Sequence, residues 1–487
     1  MQKDIRVRYA PSPTGFVHIG NLRTALFNYL FAKHNNGKLV LRIEDTDQLR
    51  KVEGAVENII RTLQWVGIEY DEGPYKGGDY APYFQSERLE IYHEHAKYLI
   101  DKKKAYYCFC TEERLNAIKQ EQQKQKQPVT KYDKKCLSLT EDEVQKNLQA
   151  GVPHVIRLNV IPGMTIKFND FIRGEVQILS DLIDDQVLIK SDGYPTYHLA
   201  NVVDDYLMKI THIIRGEEWL PSTPKHVLLY EAFGWELPIF AHLPLLLNKD
   251  RSKLSKRQGD VAVEDYKSKG YLPDALINFI ALLGWNPKDE QEIFSITELI
   301  DKFTLEGVHK SGAIFDIEKL NWINAEYLRK KQGFELLIML REELKNSKYS
   351  NEDYSDEYLM NIITIMKPRI TFVRDLYEKG YYFFEEPQDY DFNLVEKIWN
   401  PTTTGILTRF KDELKIMQSF TKENLEEELK RISAELNIKK SQIIQPLRLA
   451  VTGTTEGPGI LEIILLIGKE KTISRINRFL EKYQNNF

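Results

Sequence analysis

Three cysteines among 487 residues are too few for a disulfide framework, and the odd count leaves at least one thiol unpaired, which suits a reducing compartment. Long apolar runs are also missing. Residues 460–467 and 243–247 are the longest, far short of the roughly 20 that a membrane-spanning helix needs. Residues 1–10 alternate charged and apolar positions and lack the apolar core of a secretory signal, so a cytoplasmic location and no membrane partner are expected. No charge of one sign prevails: 67 Lys and Arg stand against 72 Asp and Glu, a net charge of −5. Binding of nucleic acid by bulk charge is thereby excluded, and any such binding must use local basic patches. What is present is an ordinary folded composition, 42% hydrophobic and 29% charged, long enough at about 150 residues per domain for about three cores.

The first third alternates strand and helix patterns. Ile5, Val7 and Tyr9 alternate with Arg6 and Arg8, and Pro11-Ser12-Pro13-Thr14-Gly15 breaks the strand. Leu22, Ala25, Leu26, Tyr29 and Leu30 share a helix face that Asn35-Asn36-Gly37 stops. Residues 38–43 predict a second strand, and Val56, Ile59, Ile60 and Leu63 a second helix. This order argues for a parallel nucleotide-binding sheet with ligands at the carboxyl ends of its strands. Residues 108–185, with the Lys/Gln-rich run 119–127 and short alternating strands, read as an inserted α+β module that splits the sheet. The alternation resumes at 187–190, 196–204 and 211–215, and a helix starts at Ser222 or Thr223 with Pro224 in its first turn. Beyond Lys330 only helical spacing remains.

Several residues in this frame carry chemistry. Arg8 lies in a strand whose pattern buries both faces; it is either a solvated arginine on an edge strand or one aimed into a ligand crevice. His18-Ile19-Gly20-Asn21 sits at a helix start, where free N–H groups and the helix dipole favour phosphate. His18 can donate to a phosphate oxygen or cap the helix, and Gly20 permits close backbone approach. Arg42-Ile43-Glu44-Asp45-Thr46-Asp47 either forms a turn and cap cluster or lets Glu44 pair an ammonium group. Tyr197 and Asn201, four apart, share a helix face, and Arg215 ends a strand. Lys253-Leu254-Ser255-Lys256-Arg257 is a basic loop.

In this order the segments resemble bacterial glutamyl-tRNA synthetases of class I along essentially the whole chain. His18 to Asn21 follow Arg8-Tyr9-Ala10-Pro11 and look like the HIGH signature, with Asn21 in place of its last His; residues 253–257 look like the KMSKS signature, with Arg257 in place of its final Ser. Both variations are tolerated in the glutamyl branch. Residues 42–47, 191–205 and 214–219 also match, and Gln445-Pro446-Leu447-Arg448 with Thr452-Gly453 is similar to the anticodon-binding end.

The resemblance implies a class I Rossmann-like parallel sheet with an inserted α+β module, followed by an all-helical anticodon-binding region. The expected spans are 1–107 and 186–245 for the halves of the catalytic domain, 108–185 for the acceptor-binding insertion, 246–330 for the KMSKS-type loop and stem-contact region, and 331–487 for the helices. It implies ATP-dependent ligation of L-glutamate to tRNA(Glu) through glutamyl-adenylate, releasing AMP and pyrophosphate, by a monomer. His18 and Lys256 would hold the triphosphate, with Gly20, Asn21, Lys253 and Ser255 completing the site for ATP and its Mg²⁺. Arg8 and Arg215 would receive the carboxylates of glutamate, Glu44 its ammonium, and Ser12, Tyr197 and Asn201 would add hydrogen bonds. Cys108, Cys110, Tyr132 and Cys136 resemble a zinc-binding insertion of some relatives, although Ser138 stands where those relatives can place His or Cys. Glutaminyl-tRNA synthetase is the nearer rival but carries a β-rich C-terminal half, a tRNA-modifying paralogue lacks the helical half, and a tRNA-binding protein without catalysis has no use for a triphosphate site. Residues 367–369, Lys-Pro-Arg, are a basic candidate for anticodon contact.

Overall fold

The computed structural model describes residues 4–254, 262–400 and 402–483, which fall into two units. The first comprises residues up to 269 together with 273–317. It opens with β1 (Arg6–Tyr9), α1 (Ile19–His34) and β2 (Lys38–Leu41), the two strands parallel in register from Arg6 opposite Lys38 to Tyr9 opposite Leu41. Leu22, Ala25, Leu26 and Leu30 bury one face of α1, as their spacing predicts. The second strand stops at Leu41, two residues earlier than expected: Arg42 N–H and Glu44 N–H still reach Tyr9 O and Pro11 O at 3.0 Å, but Pro11 has no N–H to return a bond to the second strand.

α2 (Ala55–Trp65) and α3 (Leu89–Asp101) lead to β3 (Ala105–Cys108). Then come α4 (Glu112–Lys124), α5 (Glu141–Gln149), β4 (Val155–Leu158), β5 (Thr165–Asp170), β6 (Gly174–Leu179) and β7 (Val187–Ile189). The start of the Lys/Gln run lies on α4, which buries none of its residues. α6 (Tyr197–Leu207), β8 (His212–Gly216), α7 (Thr223–Phe233) and β9 (Ile239–Leu243) restore the alternation. β8 and β9 are parallel, and Thr211, just before β8, donates its N–H to Arg6 O at 2.8 Å, which sets β8 beside β1.

The insertion does more than separate two halves. β3, β4 and β7 form one antiparallel sheet that runs past both ends of residues 108–185. β5 pairs parallel with β9 at Asp170 opposite Phe240, and β6 closes that sheet antiparallel, so the insertion is woven into the catalytic sheet. Leu188, Leu199, Val202, Ile213, Leu229, Phe168 and Phe240 belong to the core beneath. β10 (Leu246–Leu247), α8 (Val263–Ser268), α9 (Pro273–Ala281), α10 (Ile296–Lys302) and β11 (Ala313–Ile314) complete the unit.

The second unit, residues 270–272 and 318–487, takes in α11 (Ile317–Lys330) and the helices that follow, up to a last helix at Lys469–Tyr483. No strand occurs there among the described residues. Leu340, Leu359, Ile362, Phe410, Leu447 and Phe479 are among its buried side chains.

Candidate active site

The carboxyl ends of β1, β2 and β8 carry an unusual density of buried charge. Arg8, Arg42, Glu44, Asp204 and Asp205 are each 6% exposed or less. Such burial is sustained only by pairing. Arg8 donates through Nε to Asp205 at 3.2 Å, and Arg42 spans Asp205 (2.8 Å), Glu44 (3.0 Å) and Asp204 (3.7 Å). Asp204 in turn accepts from Arg88 at 2.8 Å and Tyr92 at 2.8 Å. Glu44 also accepts from Asn201 Nδ2 at 3.1 Å, and its carboxyl is pushed up by burial, with Arg42 and Arg8 opposing. Arg8 is thus not a solvated arginine on an edge strand, and its Nη atoms make no hydrogen bond among the described residues.

Arg215 differs from these arginines. It is 4% exposed yet has no carboxylate within ion-pair distance among the described residues. Its partners are neutral: Tyr197 Oη at 3.0 Å, Thr223 Oγ1 at 2.9 Å, His242 Nε2 at 3.1 Å and His226 Nδ1 at 3.4 Å. Burial first, then Arg215 itself, drives His226 well below its ordinary value, so it stays uncharged. A buried cation ringed by neutral acceptors has charge left over to pair with an anion. Tyr197 and Asn201 sit on α6 as the spacing predicts, but they point to different partners, Arg215 and Glu44.

Beside Arg215, Gly216 lines a cavity of about 250 Å³ with His18, Gly20, Arg23, Thr24, Glu218, Leu245 and Lys253. His18 caps α1, its Nδ1 accepting from Gly20 N at 3.1 Å and Asn21 N at 3.4 Å. A Cβ on Gly20 would press on the His18 ring, so this cavity-lining glycine also makes room for the histidine. Arg23 donates to the carbonyls of Pro244 and Leu283, and burial pulls it down to about 10 against the pull of Glu218. His18 pairs as a bridge with Ala262, and Lys253 with Leu247, so the chain on both sides of residues 255–261 is anchored near the cavity. Ser255 and Lys256 themselves lie outside the described residues. Asn21 is half-buried but does not line the cavity, and Ser12 is exposed on the loop whose Pro11 carbonyl ties to Glu44.

Away from this crevice, Cys108, Cys110 and Cys136 bring their Sγ atoms within 4.8 Å of one another. Tyr132 Oη lies 3.2 Å from Cys110 Sγ, and Cys136 Sγ 3.6 Å from it. Four thiolates or equivalents about a zinc at 2.3 Å stand roughly 3.8 Å apart, so this spacing fits a tetrahedral metal. Against its burial, which raises it, the Cys108 thiol is held below its ordinary value by the Cys110 backbone, Tyr132 and Arg157.

Sequence reasoning missed Asp170, His242 and His226. His242 alone leaves a signal, a polar residue within the apolar Ile239-Phe240-Ala241-His242-Leu243, whereas Asp170 ends a strand that alternates polar and apolar residues.

Comparison with known proteins gives the same assignment. Residues 4–322 match the model of the catalytic domain of class I tRNA synthetases (E and Q), and residues 334–480 match an anticodon binding domain. A glutamate--tRNA ligase of Chloroherpeton thalassium is 51% identical over 99% of this chain and 98% of its own, and one of Chlorobaculum parvum 50% identical over 98% of each. The crystal structure of a glutamate tRNA ligase from Elizabethkingia meningosepticum in complex with its amino acid superposes with a TM-score of 0.92 at 42% identity, covering 98% of this chain and 99% of that one. The chain belongs to the class I tRNA synthetases of the E and Q branch.

Proposed function

We propose that this chain ligates L-glutamate to tRNA(Glu). The glutamate α-carboxylate attacks the α-phosphorus of ATP, which brings its Mg²⁺ as part of the substrate, and pyrophosphate leaves. A terminal ribose hydroxyl of the tRNA then attacks the carbonyl of glutamyl-adenylate, and AMP leaves. No protein nucleophile enters the balance, so the protein's work is positioning and charge stabilisation. The observation that carries this reading is Arg215, a buried cation surrounded by neutral acceptors, placed next in sequence to a residue lining the His18 cavity.

In this reading Arg8 and Arg215 take the two carboxylates and Glu44 the ammonium, while Tyr197, Asn201 and Ser12 support them. His18, Gly20, Asn21 and Lys253 hold ATP, and Lys256 with Ser255 closes on the triphosphate. Glutamine would present a neutral amide to a buried guanidinium and lose charge-assisted bonds worth about 1.5–3 kcal/mol each. The helical second unit favours the glutamyl over the glutaminyl branch. Within that unit, Arg369 and Arg448 are the basic residues we assign to anticodon contact, and burial lowers Arg448, with Arg369 adding to the effect.

The Cys108, Cys110, Tyr132 and Cys136 set would hold one structural zinc, which supplies a crosslink in the insertion and no chemistry to the reaction. A cytoplasmic location agrees with three thiols in no disulfide. Charging assays with separate tRNA(Glu) and tRNA(Gln) test the assignment. Glutamate on tRNA(Glu) is expected, and no aminoacyl-tRNA with either would overturn it.

A further inference from the structure

We propose that His242 is a positioning residue for Arg215, kept in its working tautomer by Asp170. The inference rests on the reading that Arg215 receives a substrate carboxylate. Asp170, His242 and Arg215 lie on three adjacent strands, β5, β9 and β8, with Arg215 and His242 in direct cross-strand register.

A guanidinium only donates hydrogen bonds, so Arg215 Nε, 3.1 Å from His242 Nε2, requires that nitrogen to be bare. The imidazole proton therefore sits on Nδ1, where Asp170 Oδ2 accepts it at 2.5 Å. Asp170 cannot rotate away: its Oδ1 accepts the backbone N–H of Arg173 at 2.8 Å and of Ile172 at 3.1 Å. On the other side His226 repeats the device. Its Nδ1 faces both Arg215 Nη atoms at 3.4 Å, and its Nε2–H points to His198 Nδ1 at 3.0 Å.

The arrangement solves a conflict between folding and recognition. A carboxylate on the Nη atoms of Arg215 would steady the buried cation but compete with the incoming substrate, a conflict that Arg8 avoids because Asp205 takes its Nε alone. Placing Asp170 one neutral imidazole behind keeps its charge in the neighbourhood without occupying the guanidinium. Half-buried Tyr197 remains on the open side, while Thr223, His226 and His242 are buried.

Asp170→Asn tests the relay. With its carbonyl held by the same backbone donors, the amide N–H faces His242 Nδ1 and drives the proton to Nε2, opposing two donors at Arg215. KM for glutamate should rise about tenfold or more, the size of one lost charge-assisted bond, with KM for ATP within about twofold and Tm little changed. The kcat/KM preference for glutamate over glutamine should fall in step. His242→Gln, whose amide can accept from Arg215 and donate to Asp170, should stay within about threefold of the parent, whereas His242→Leu should match Asp170→Asn.

A folded Asp170→Asn chain with unchanged KM for glutamate overturns the proposal. So does a rise in both KM values together, which marks a merely structural role. If Asp170→Asn does not fold, equal glutamate KM values for His242→Gln and His242→Leu overturn it instead. Arg215→Lys separates the levels: if it leaves KM for glutamate unchanged, the carboxylate role of Arg215 fails and takes this inference with it. If it raises that KM while the other variants do not, only the relay fails.

Discussion

Arg8 rests on Asp205 through Nε alone, 3.2 Å from Oδ1 and 3.3 Å from Oδ2, while Arg42 holds the same carboxylate at 2.8 Å. Asp205 is therefore shared, and it stays paired when Arg8 is removed. Arg8→Ala should keep the fold and lose two charge-assisted bonds to substrate, at about 1.5–3 kcal/mol each, hence over 100-fold in kcat/KM for glutamate. ATP–pyrophosphate exchange with tRNA present, alongside a thermal melt, checks both halves; a folded variant exchanging at near the parental rate contradicts the role.

Glu44→Gln keeps an oxygen to accept from Arg42 and Asn201 but removes the charge. Arg42 retains Asp204 and Asp205, so stability should change little, while KM for glutamate should rise about 10- to 100-fold through loss of the ammonium partner. Steady-state kinetics at saturating ATP measure it, and an unchanged KM removes Glu44 from the ammonium site.

Elemental analysis of protein purified without added metal should find one zinc per chain, and Cys136→Ser should lose it with a lowered Tm, since structural zinc contributes directly to folding. Three freely titrating thiols in the native parent, with no zinc, would remove the site from the account.

His198 is held down to about 4, by burial first and then by Lys225 and Arg215. Its folded pKa lies below the unfolded value of about 6.5, so the unfolded chain binds the proton first as pH falls. The stability carried by the neutral ring is whole above pH 6.5 and is lost progressively as pH falls toward 4. His198→Gln, which can still accept from His226, should show a shallower fall in Tm across that window. Parallel Tm curves for the two proteins would contradict the assignment.

The alternation around His18, the strand-end position of Arg215 and the pairing of Tyr197 with Asn201 on one helix were legible because each depends on local periodicity. Asp204 and Asp205 were not, since adjacent acids on a helix read as a solvated face until Arg42, Arg88 and Arg8 arrive from distant segments to bury them. The joining of β5 to β9 depends on a single register contact, which no pattern in either strand announces. His242 escaped for the same reason: only the pairing of β8 with β9 sets it beside Arg215.

The central claim is that buried guanidinium charge selects glutamate. ATP–pyrophosphate exchange measured with glutamate and with glutamine, in the presence of tRNA(Glu), tests it most directly. The account predicts a kcat/KM for glutamate higher by at least about 100-fold, the value of two charge-assisted bonds. Equal exchange with the two amino acids would contradict it.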